Sequence, residues 1–196
     1  MSQQQPHQPH DPNILPADLP VPVDDGACDH LPGMAVPRIA LTSTKGREVA
    51  LADTGRPRTV VYCYPRTGVP GQTVPAGWDE IPGARGCTPQ SCAFRDHHAE
   101  LRDLGAEVFG LSTQDTAFQR EMAERLHLPF EVLSDEGLRL TRAMRLPTFE
   151  AGGMELIRRL TLVLRDGRVE KVFYPVFPPD RSADEVIAWL RAHPAR

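Results

Sequence analysis

The stretch GCTPQSCAFRDHHAEL, residues 86–101, places two cysteines at the beginning of a predicted amphipathic helix. Thr88 can act as its N-cap, and Pro89 suits the first helical position, where a missing N–H costs nothing. Apolar residues then recur at roughly helical spacing from Phe94 onward. Cys87 is therefore predicted at a helix N-terminus, where a partial positive charge and unpaired N–H groups favour a thiolate.

The second cysteine, Cys92, lies five residues after Cys87. An α-helix rises ~1.5 Å and turns ~100° per residue, so the two side chains would stand ~7.5 Å apart along the axis and point in different directions. A disulfide needs Cα atoms within roughly 7 Å and converging Cβ vectors. If the two cysteines form a disulfide, the first turn or two of the helix must unwind. Alternatively, both are small buried apolar residues, as free cysteines often are.

The run GCTPQSCAFRD resembles the active-site signature of the peroxiredoxin Q, or bacterioferritin comigratory protein, group of the AhpC/TSA peroxiredoxins. That signature has Gly-Cys-Thr, a second Cys five residues on, and then Phe-Arg-Asp. The similarity covers most of residues 36–191. It includes the segments VVYCYP (60–65), VFGLSTQD (108–115), LPFEVLSD (128–135) and RRLTLVLRDGRVEKVFYPV (158–176).

The resemblance implies a thioredoxin-dependent peroxidase of the atypical two-cysteine type. Cys87 would be the peroxidatic thiol and Cys92 the resolving thiol. Hydrogen peroxide and small organic hydroperoxides would be the substrates, and thioredoxin or a similar dithiol protein the reductant.

In the family, an Arg at the start of a late strand reaches the reactive Cys. Arg159, in R-x-T, matches that position best, and Arg158 is the alternative because the strand register is ambiguous by one residue. A guanidinium there would stabilise the thiolate and donate hydrogen bonds to a peroxide oxygen. The other interpretation is that both arginines are surface charges at a strand end.

The sequence departs from the family pattern just before Cys87. The pattern has a Pro seven residues, and a Thr or Ser three residues, before the reactive Cys, where this chain has Glu80 and Ala84. Removing fifteen residues, 72–86, recovers the Pro as Pro65. We therefore predict an inserted loop over 72–86.

Removing that loop still puts Val69 where the family has its hydroxyl. In the family this hydroxyl helps to hold the peroxide against the thiolate. Thr67 or Thr73 would supply it through a different loop path, or else peroxide turnover is slow. Trp78 and its apolar neighbours are expected to pack the loop over the site.

The remaining pattern predicts one α/β domain, residues 36–196, after an N-terminal arm, residues 1–35. The arm holds seven of the twenty prolines and shows no sustained periodicity, so we expect it to be extended or poorly ordered. After the arm we predict a leading hairpin, a central buried strand over 58–65, a helix from 89 to about 104, and further alternating strands and helices. A late hairpin pairs strands over 156–164 and 167–176 across Asp166-Gly167, and a helix over 182–193 closes the chain. This order predicts a thioredoxin-like fold, with a mixed central sheet flanked by helices.

Composition narrows the class of protein. The chain has 196 residues, 40% of them apolar, which suffices for one well-buried core. A net charge of −4 gives no reason to expect nucleic acid or a membrane surface as a partner. No apolar run approaches the ~20 residues that span a bilayer, and the first residues lack the apolar region of a secretory signal. We expect a cytoplasmic protein with reduced thiols, either a monomer or a dimer.

We expect no cofactor and no metal. No G-x-G-x-x-G follows a strand, so NADPH would act only through a separate reductase. His7 and His10 lie in a Pro/Gln tract, and the spacing C-x₄-C-x₄-H-H that ends at His98 matches no common zinc pattern. Cys28 is a stray thiol or a third redox site, and Cys63 is interpreted as a packing residue.

Two other functions are compatible with these residues. A peroxide-sensing thiol switch with little turnover would use oxidation of Cys87 to expose a partner surface on the unwound helix. The missing hydroxyl and the long arm favour this alternative. A general disulfide oxidoreductase is disfavoured, because the chain contains no C-x-x-C.

Overall fold

The computed structural model describes residues 11–194, so His7 and His10 lie outside the described residues. Within that range the chain forms nine strands and five α-helices. The strands are β1 (Ala40–Ser43), β2 (Glu48–Ala50), β3 (Arg58–Cys63), β4 (Ala106–Ser112), β5 (Glu131–Ser134), β6 (Thr148–Ala151), β7 (Met154–Ile157), β8 (Leu160–Arg165) and β9 (Arg168–Phe173). The helices are α1 (Cys87–Asp96), α2 (His98–Asp103), α3 (Thr116–Arg125), α4 (Arg139–Met144) and α5 (Ser182–Ala192).

Seven of the strands form one mixed sheet in the order β2-β1-β5-β4-β3-β8-β9. The pairs β3–β4 and β4–β5 are parallel, and the remaining neighbours are antiparallel. The mixed sheet flanked by helices that the sequence predicts is therefore present. β3, the predicted buried strand, lies inside the sheet and leads toward the loop that precedes α1.

The alternation of side chains along β3 divides the core between the two faces of the sheet. Val60 and Tyr62 belong to the core that covers one face, and Val61 and Cys63 to the core that covers the other. This follows from the period of two in a strand. The first face packs against α1, α2, α3 and α5, and the second packs against α4 and the N-terminal arm.

The described part of the arm, residues 11–35, contains turns and irregular chain and lies against the domain. Leu31 is fully buried and Cys28 is 5% exposed, both within the core of the second face. The amide of Gly33 donates to the carbonyl of Val169 at 2.8 Å. The core of the second face therefore includes residues on both sides of position 35. The division of the chain into an arm, residues 1–35, and a domain, residues 36–196, stays a prediction.

Both predicted hairpins are confirmed. β1 pairs antiparallel with β2, and β8 pairs antiparallel with β9. At the second turn Asp166 and Gly167 have φ values of +50° and +68°. Positive φ at both central residues is what a two-residue turn between right-twisted strands requires.

Two elements differ from the sequence prediction. The helix expected to run to about residue 104 is two helices, because the chain leaves helical geometry at His97, where φ is −98° and ψ is 8°. The strand expected over 156–164 is also interrupted, since β7 ends at Ile157 and β8 begins at Leu160. β6 and β7 form a separate two-stranded sheet that the sequence analysis did not predict.

This small sheet packs against the predicted inserted loop, residues 72–86. Trp78 begins a short 3₁₀ helix in the loop, is 4% exposed, and lies with its ring centroid 6.2 Å from that of Phe149 in β6. The two segments share a small apolar core formed by Val74, Trp78, Ile81, Ala84, Phe149, Ala151, Met154 and Leu156. Among residues 11–194, none of the helices combines the length and the apolar content needed to cross a bilayer.

Replacing Leu31 by Ala tests whether the arm contributes to the core. Removing a fully buried Leu side chain should lower the free energy of unfolding by about 3 kcal/mol, measured by urea denaturation. Val23→Ala in the same arm is the control, because its side chain is 79% exposed and its loss should change stability by no more than about 0.5 kcal/mol. Equal stability of the two variants would contradict a packed arm.

Candidate active site

The first turn of α1 starts at Cys87, earlier than predicted. Gly86 is the N-cap, with φ of +100°, a conformation that glycine adopts at little cost. A Cβ at Gly86 would also lie 2.3 Å from Cγ of Pro179, so a side chain does not fit there. The predicted N-cap role of Thr88 is wrong, because Thr88 and Pro89 both lie inside the helix.

A guanidinium contacts the buried thiol. Cys87 is 3% exposed, and Nη2 of Arg159 lies 3.2 Å from its Sγ. Arg158 and Arg159 connect β7 with β8, and their side chains have different partners: Nε of Arg158 donates to the carbonyl of Thr148 at 3.2 Å. Of the two register alternatives, the structure places Arg159 at the thiol.

The end of the inserted loop holds that guanidinium through its main chain. Nε of Arg159 donates to the carbonyl of Gly83 at 3.3 Å, and Nη2 donates to those of Ala84 at 3.2 Å and Arg85 at 3.0 Å. Nη1 donates to Oε1 of Gln90. All four acceptors are uncharged, so they satisfy the N–H donors without neutralising the positive charge. That charge acts directly on Sγ.

Gln90 connects this site to α5 and β8. It is fully buried, and its Nε2 donates to Oγ of Ser182 at 3.3 Å, which in turn lies 3.2 Å from Oγ1 of Thr161. The sequence analysis missed Gln90 and the three carbonyls. Gln90 had a signal, since residues three apart share one face of a helix and Gln90 is three residues after Cys87. The three backbone carbonyls have no such signal in the sequence, because every residue carries one.

The two loop residues proposed from the sequence lie after β3. Pro65 and Thr67 follow the last residue of this strand, Cys63, and both are buried, with Thr67 1% exposed. The hydroxyl of Thr67 donates to Oε1 of Gln114 at 3.1 Å, and Nε2 of Gln114 donates back to the carbonyl of Thr67 at 3.2 Å. Within the described chain no hydrogen bond joins Thr67 to Cys87. The hydroxyl of Thr67 therefore bonds to Gln114 in this structure, and its role at the Cys87 thiol stays a prediction.

A backbone carbonyl also faces the thiol. Residue 84, three positions before Cys87, is Ala, and its carbonyl oxygen lies 3.6 Å from Sγ. The protonated thiol can donate to this oxygen. Residue 84 therefore contributes an acceptor to the site, whereas a Thr or Ser side chain would contribute a donor.

Cys92 lies further along the same unbroken helix, and its thiol is also free. It is half-buried against the core of the first face. Burial raises the pKa of the Cys92 thiol, although Arg95 acts in the opposite direction. Because Cys87 and Cys92 both lie in α1, a bond between them requires the helix to unwind, as the sequence analysis predicts.

An aromatic stack anchors α1 beyond Cys92. Phe94 is fully buried, and its ring stacks on that of Tyr62 in β3, with centroids 4.6 Å apart and an interplanar angle of 10°. This contact joins the middle of the helix to the centre of the sheet. The part of α1 before Phe94 lacks such a stack.

The other two cysteines are core residues. Burial raises the pKa of Cys28 to about 12 and raises that of Cys63 still further. Both thiols lie in the core of the second face. Among residues 11–194, no three His, Cys, Asp or Glu side chains come together as a metal ion would require.

Comparisons with known proteins show the family to which this chain belongs. The family model described as Redoxin matches residues 31–187. The chain belongs to the redoxin family. Chloroplastic peroxiredoxin Q of Sedum lineare is 34% identical over 161 residues, which cover 82% of this chain and 77% of that protein. Chloroplastic peroxiredoxin Q of Gentiana triflora is 33% identical over 161 residues, and this chain spans only 66% of its length.

Solved structures show the same fold. Peroxidoxin BcpB from Mycobacterium tuberculosis superimposes with a TM-score of 0.67 at 26% identity, over 84% of this chain and 99% of that one. Peroxiredoxin Q of Xanthomonas campestris gives a TM-score of 0.62 at 22% identity, over 90% of this chain and 99% of that one. The predicted thioredoxin-like fold and the resemblance to the peroxiredoxin Q group are confirmed.

Replacing Arg159 by Lys tests the role of the guanidinium. A lysine cannot reproduce the fork of donors that reaches three carbonyls and Sγ together, so the thiolate loses part of its stabilisation. We expect alkylation of Cys87 by iodoacetamide at pH 7 to slow roughly tenfold, measured by mass spectrometry over time. Arg158→Lys is the matched control and should alkylate at the wild-type rate. Equal slowing in both variants would contradict a specific contact.

Alkylation of the native protein also tests the buried thiols. With a pKa of about 12, the Cys28 thiol is protonated at pH 9 in all but roughly one molecule in a thousand, and only a thiolate reacts. We expect iodoacetamide to leave Cys28 and Cys63 unmodified in the folded protein at pH 9 and to modify both in urea. Native labelling of Cys28 at the rate of half-buried Cys92 would show that the arm is not packed.

Proposed function

We propose that this protein is a thiol peroxidase that reduces hydrogen peroxide and small organic hydroperoxides. The observation that carries the proposal is the contact of 3.2 Å between Nη2 of Arg159 and Sγ of Cys87 at the beginning of α1. A nucleophilic sulfur beside a fixed, uncompensated cation is suited to attack on a weak O–O bond. Membership of the redoxin family and the similarity to proteins named peroxiredoxin Q support it.

In the first step the Cys87 thiolate attacks one oxygen of the peroxide. The S–O bond forms as the O–O bond breaks, and the departing oxygen leaves as hydroxide or alkoxide, which takes a proton from solvent. Cys87 is oxidised to the sulfenic acid, and the peroxide is reduced to water or an alcohol. The positive charge of Arg159 stabilises the negative charge that develops on the departing oxygen.

In the second step Cys92 resolves the sulfenic acid. Its sulfur attacks Sγ of Cys87, water leaves, and a disulfide forms. This step requires the first part of α1 to unwind. Burial raises the pKa of Cys92 in the intact helix. Unwinding would expose this thiol to water, which favours its thiolate, and would also bring its sulfur within reach of Sγ of Cys87.

An external dithiol then reduces the disulfide. We propose thioredoxin or a similar protein for this role, with a reducing compartment such as the cytoplasm as the site of action. Two electrons and two protons pass from the dithiol to Cys87 and Cys92, which regenerates both thiols. α1 can then reform.

A peroxide-sensing thiol switch is the second candidate. It is favoured by the 3% exposure of Cys87, which limits access of peroxide, and by the carbonyl of Ala84, which lies 3.6 Å from Sγ and can accept a hydrogen bond only from the protonated thiol. Steady-state assays with thioredoxin and its reductase separate the two candidates. A peroxidase consumes many equivalents of peroxide, whereas a switch reacts once and stops.

Intact mass after one equivalent of hydrogen peroxide tests the two-cysteine mechanism. The wild type should lose two hydrogens through a Cys87–Cys92 disulfide. Cys92→Ser should instead accumulate sulfenic or sulfinic acid at Cys87, and Cys87→Ser should keep its mass. Cys28→Ser is the matched control and should still form the disulfide. A Cys87 that stays reduced would overturn the proposed function, and a bridge to Cys28 or Cys63 would overturn the role of Cys92.

A further inference from the structure

The N-terminal arm contacts the N-cap residue of α1. A Cβ at Gly86 would lie 2.9 Å from Cδ1 of Leu15 and closer still to the ring of Pro179, so both side chains pack directly on the glycine backbone. The carbonyl of Gly86 accepts a hydrogen bond from the amide of Gln90 at 3.0 Å, which closes the first turn of α1. Leu15 therefore packs on the residue from which that turn begins.

A second contact fastens the arm to the same segment. Nη2 of Arg85 donates to the carbonyl oxygens of Asp11 at 3.2 Å and Ile14 at 3.3 Å. Nη1 of Arg85 donates to Oδ2 of Asp79, in the inserted loop, at 2.5 Å. The side chain of Arg85 is only 10% exposed. Arg85 thus joins the main chain of the arm to the loop that leads into α1.

These contacts oppose the movement that the proposed second step requires. A disulfide between Cys87 and Cys92 forms only if the first part of α1 unwinds, which breaks the hydrogen bond to the carbonyl of Gly86. The unwound segment turns about the backbone of Gly86, on which Leu15 is packed. Movement there separates the two residues or displaces the arm, and either change exposes apolar surface to water. The docked arm therefore favours the intact helix.

We propose that residues 11–15, fastened by Arg85, form a clasp that slows the unwinding of α1 and so prolongs the life of the sulfenic acid at Cys87. This inference rests on the proposed peroxidase function and adds a control of its second step.

The lifetime of the sulfenic acid decides between two products. Condensation with the Cys92 thiol releases water and gives the disulfide. Reaction with a second peroxide transfers one oxygen to the sulfur of Cys87, which gives the sulfinic acid together with water or an alcohol. Only the first product can be reduced by a dithiol. By slowing the first reaction, the clasp raises the share of the second when peroxide is abundant.

The first test needs no peroxide. Amide hydrogen exchange of the reduced, full-length protein, followed by mass spectrometry, measures how often residues 87–93 open. Leu15→Ala removes the half-buried side chain that packs on Gly86. Arg85→Met keeps a long side chain but removes its N–H donors. Each variant should raise the exchange rate of residues 87–93 roughly fivefold, because the clasp is weakened in the closed helix only.

The second test follows the sulfenic acid after one equivalent of hydrogen peroxide. Rapid quenching and mass spectrometry measure the oxidation of Cys87 and then the loss of water as the disulfide forms. Leu15→Ala should oxidise at the wild-type rate and form the disulfide roughly fivefold faster. With excess peroxide it should accumulate roughly fivefold less sulfinic acid than the wild type.

Two other positions in the arm supply the controls. Leu31→Ala is the same substitution, at a fully buried residue in the core of the second face. It lowers the stability of the whole fold without touching the clasp. Ile14→Ala lies beside Leu15, but its side chain is 57% exposed. Both controls should keep the wild-type exchange rate of residues 87–93 and the wild-type rate of disulfide formation.

The outcomes separate the clasp from the peroxidase function. Unchanged exchange in both Leu15→Ala and Arg85→Met, or an equal rise in Leu31→Ala, would overturn the clasp whether or not the protein is a peroxidase. Faster exchange without faster disulfide formation would overturn its control of the second step. Failure of hydrogen peroxide to oxidise Cys87 would overturn the proposed function and that control with it, while the exchange rates would still decide whether the arm restrains α1.

Discussion

The buried positive charge of Arg159 is the constraint on which the active centre depends. A guanidinium removed from water is costly to keep charged unless its N–H groups find acceptors. A carboxylate would meet this need but would also cancel the charge that acts on Sγ of Cys87. Here four uncharged oxygens meet it, three of them from consecutive backbone carbonyls at residues 83–85. The N–H groups of Arg159 thus find hydrogen-bond acceptors without a negative charge that would cancel the positive charge on the guanidinium.

This arrangement explains why the inserted loop and the β6–β7 hairpin belong together. Carbonyl groups hold a cation only if their directions are fixed, and a loop rich in Gly and Pro has no regular structure to fix them. Trp78 and Ala84 secure the loop in a small apolar core that it shares with the hairpin. The hairpin in turn ends where Arg158 and Arg159 lead into β8. The loop thus positions the acceptors, and the hairpin positions the donor.

Local patterns were sufficient to predict the strands of the main sheet, the helix that carries Cys87 and the turn at Asp166-Gly167. They could not choose between Arg158 and Arg159, because the break between β7 and β8 depends on contacts with a loop far away in sequence. The burial of Leu31 was hidden for a similar reason, since one apolar side chain in a Pro-rich arm carries no periodic signal. The carbonyl oxygens are identical in every residue, so no sequence pattern could mark them.

The stack of Phe94 on Tyr62 bears on the timing of the proposed catalytic cycle. Because it anchors α1 to β3, we expect the proposed unwinding to stop before Phe94, so that the rest of the fold serves as a template on which residues 87–93 reorder. Backbone ordering costs about 1–2 kcal/mol per residue, so a segment this short involves a modest free energy. Helical segments relax in roughly 0.1–1 μs, far faster than two proteins meet at cellular concentrations. In the proposed cycle, recovery of the reduced protein would therefore be limited by collision with its reductant and not by refolding.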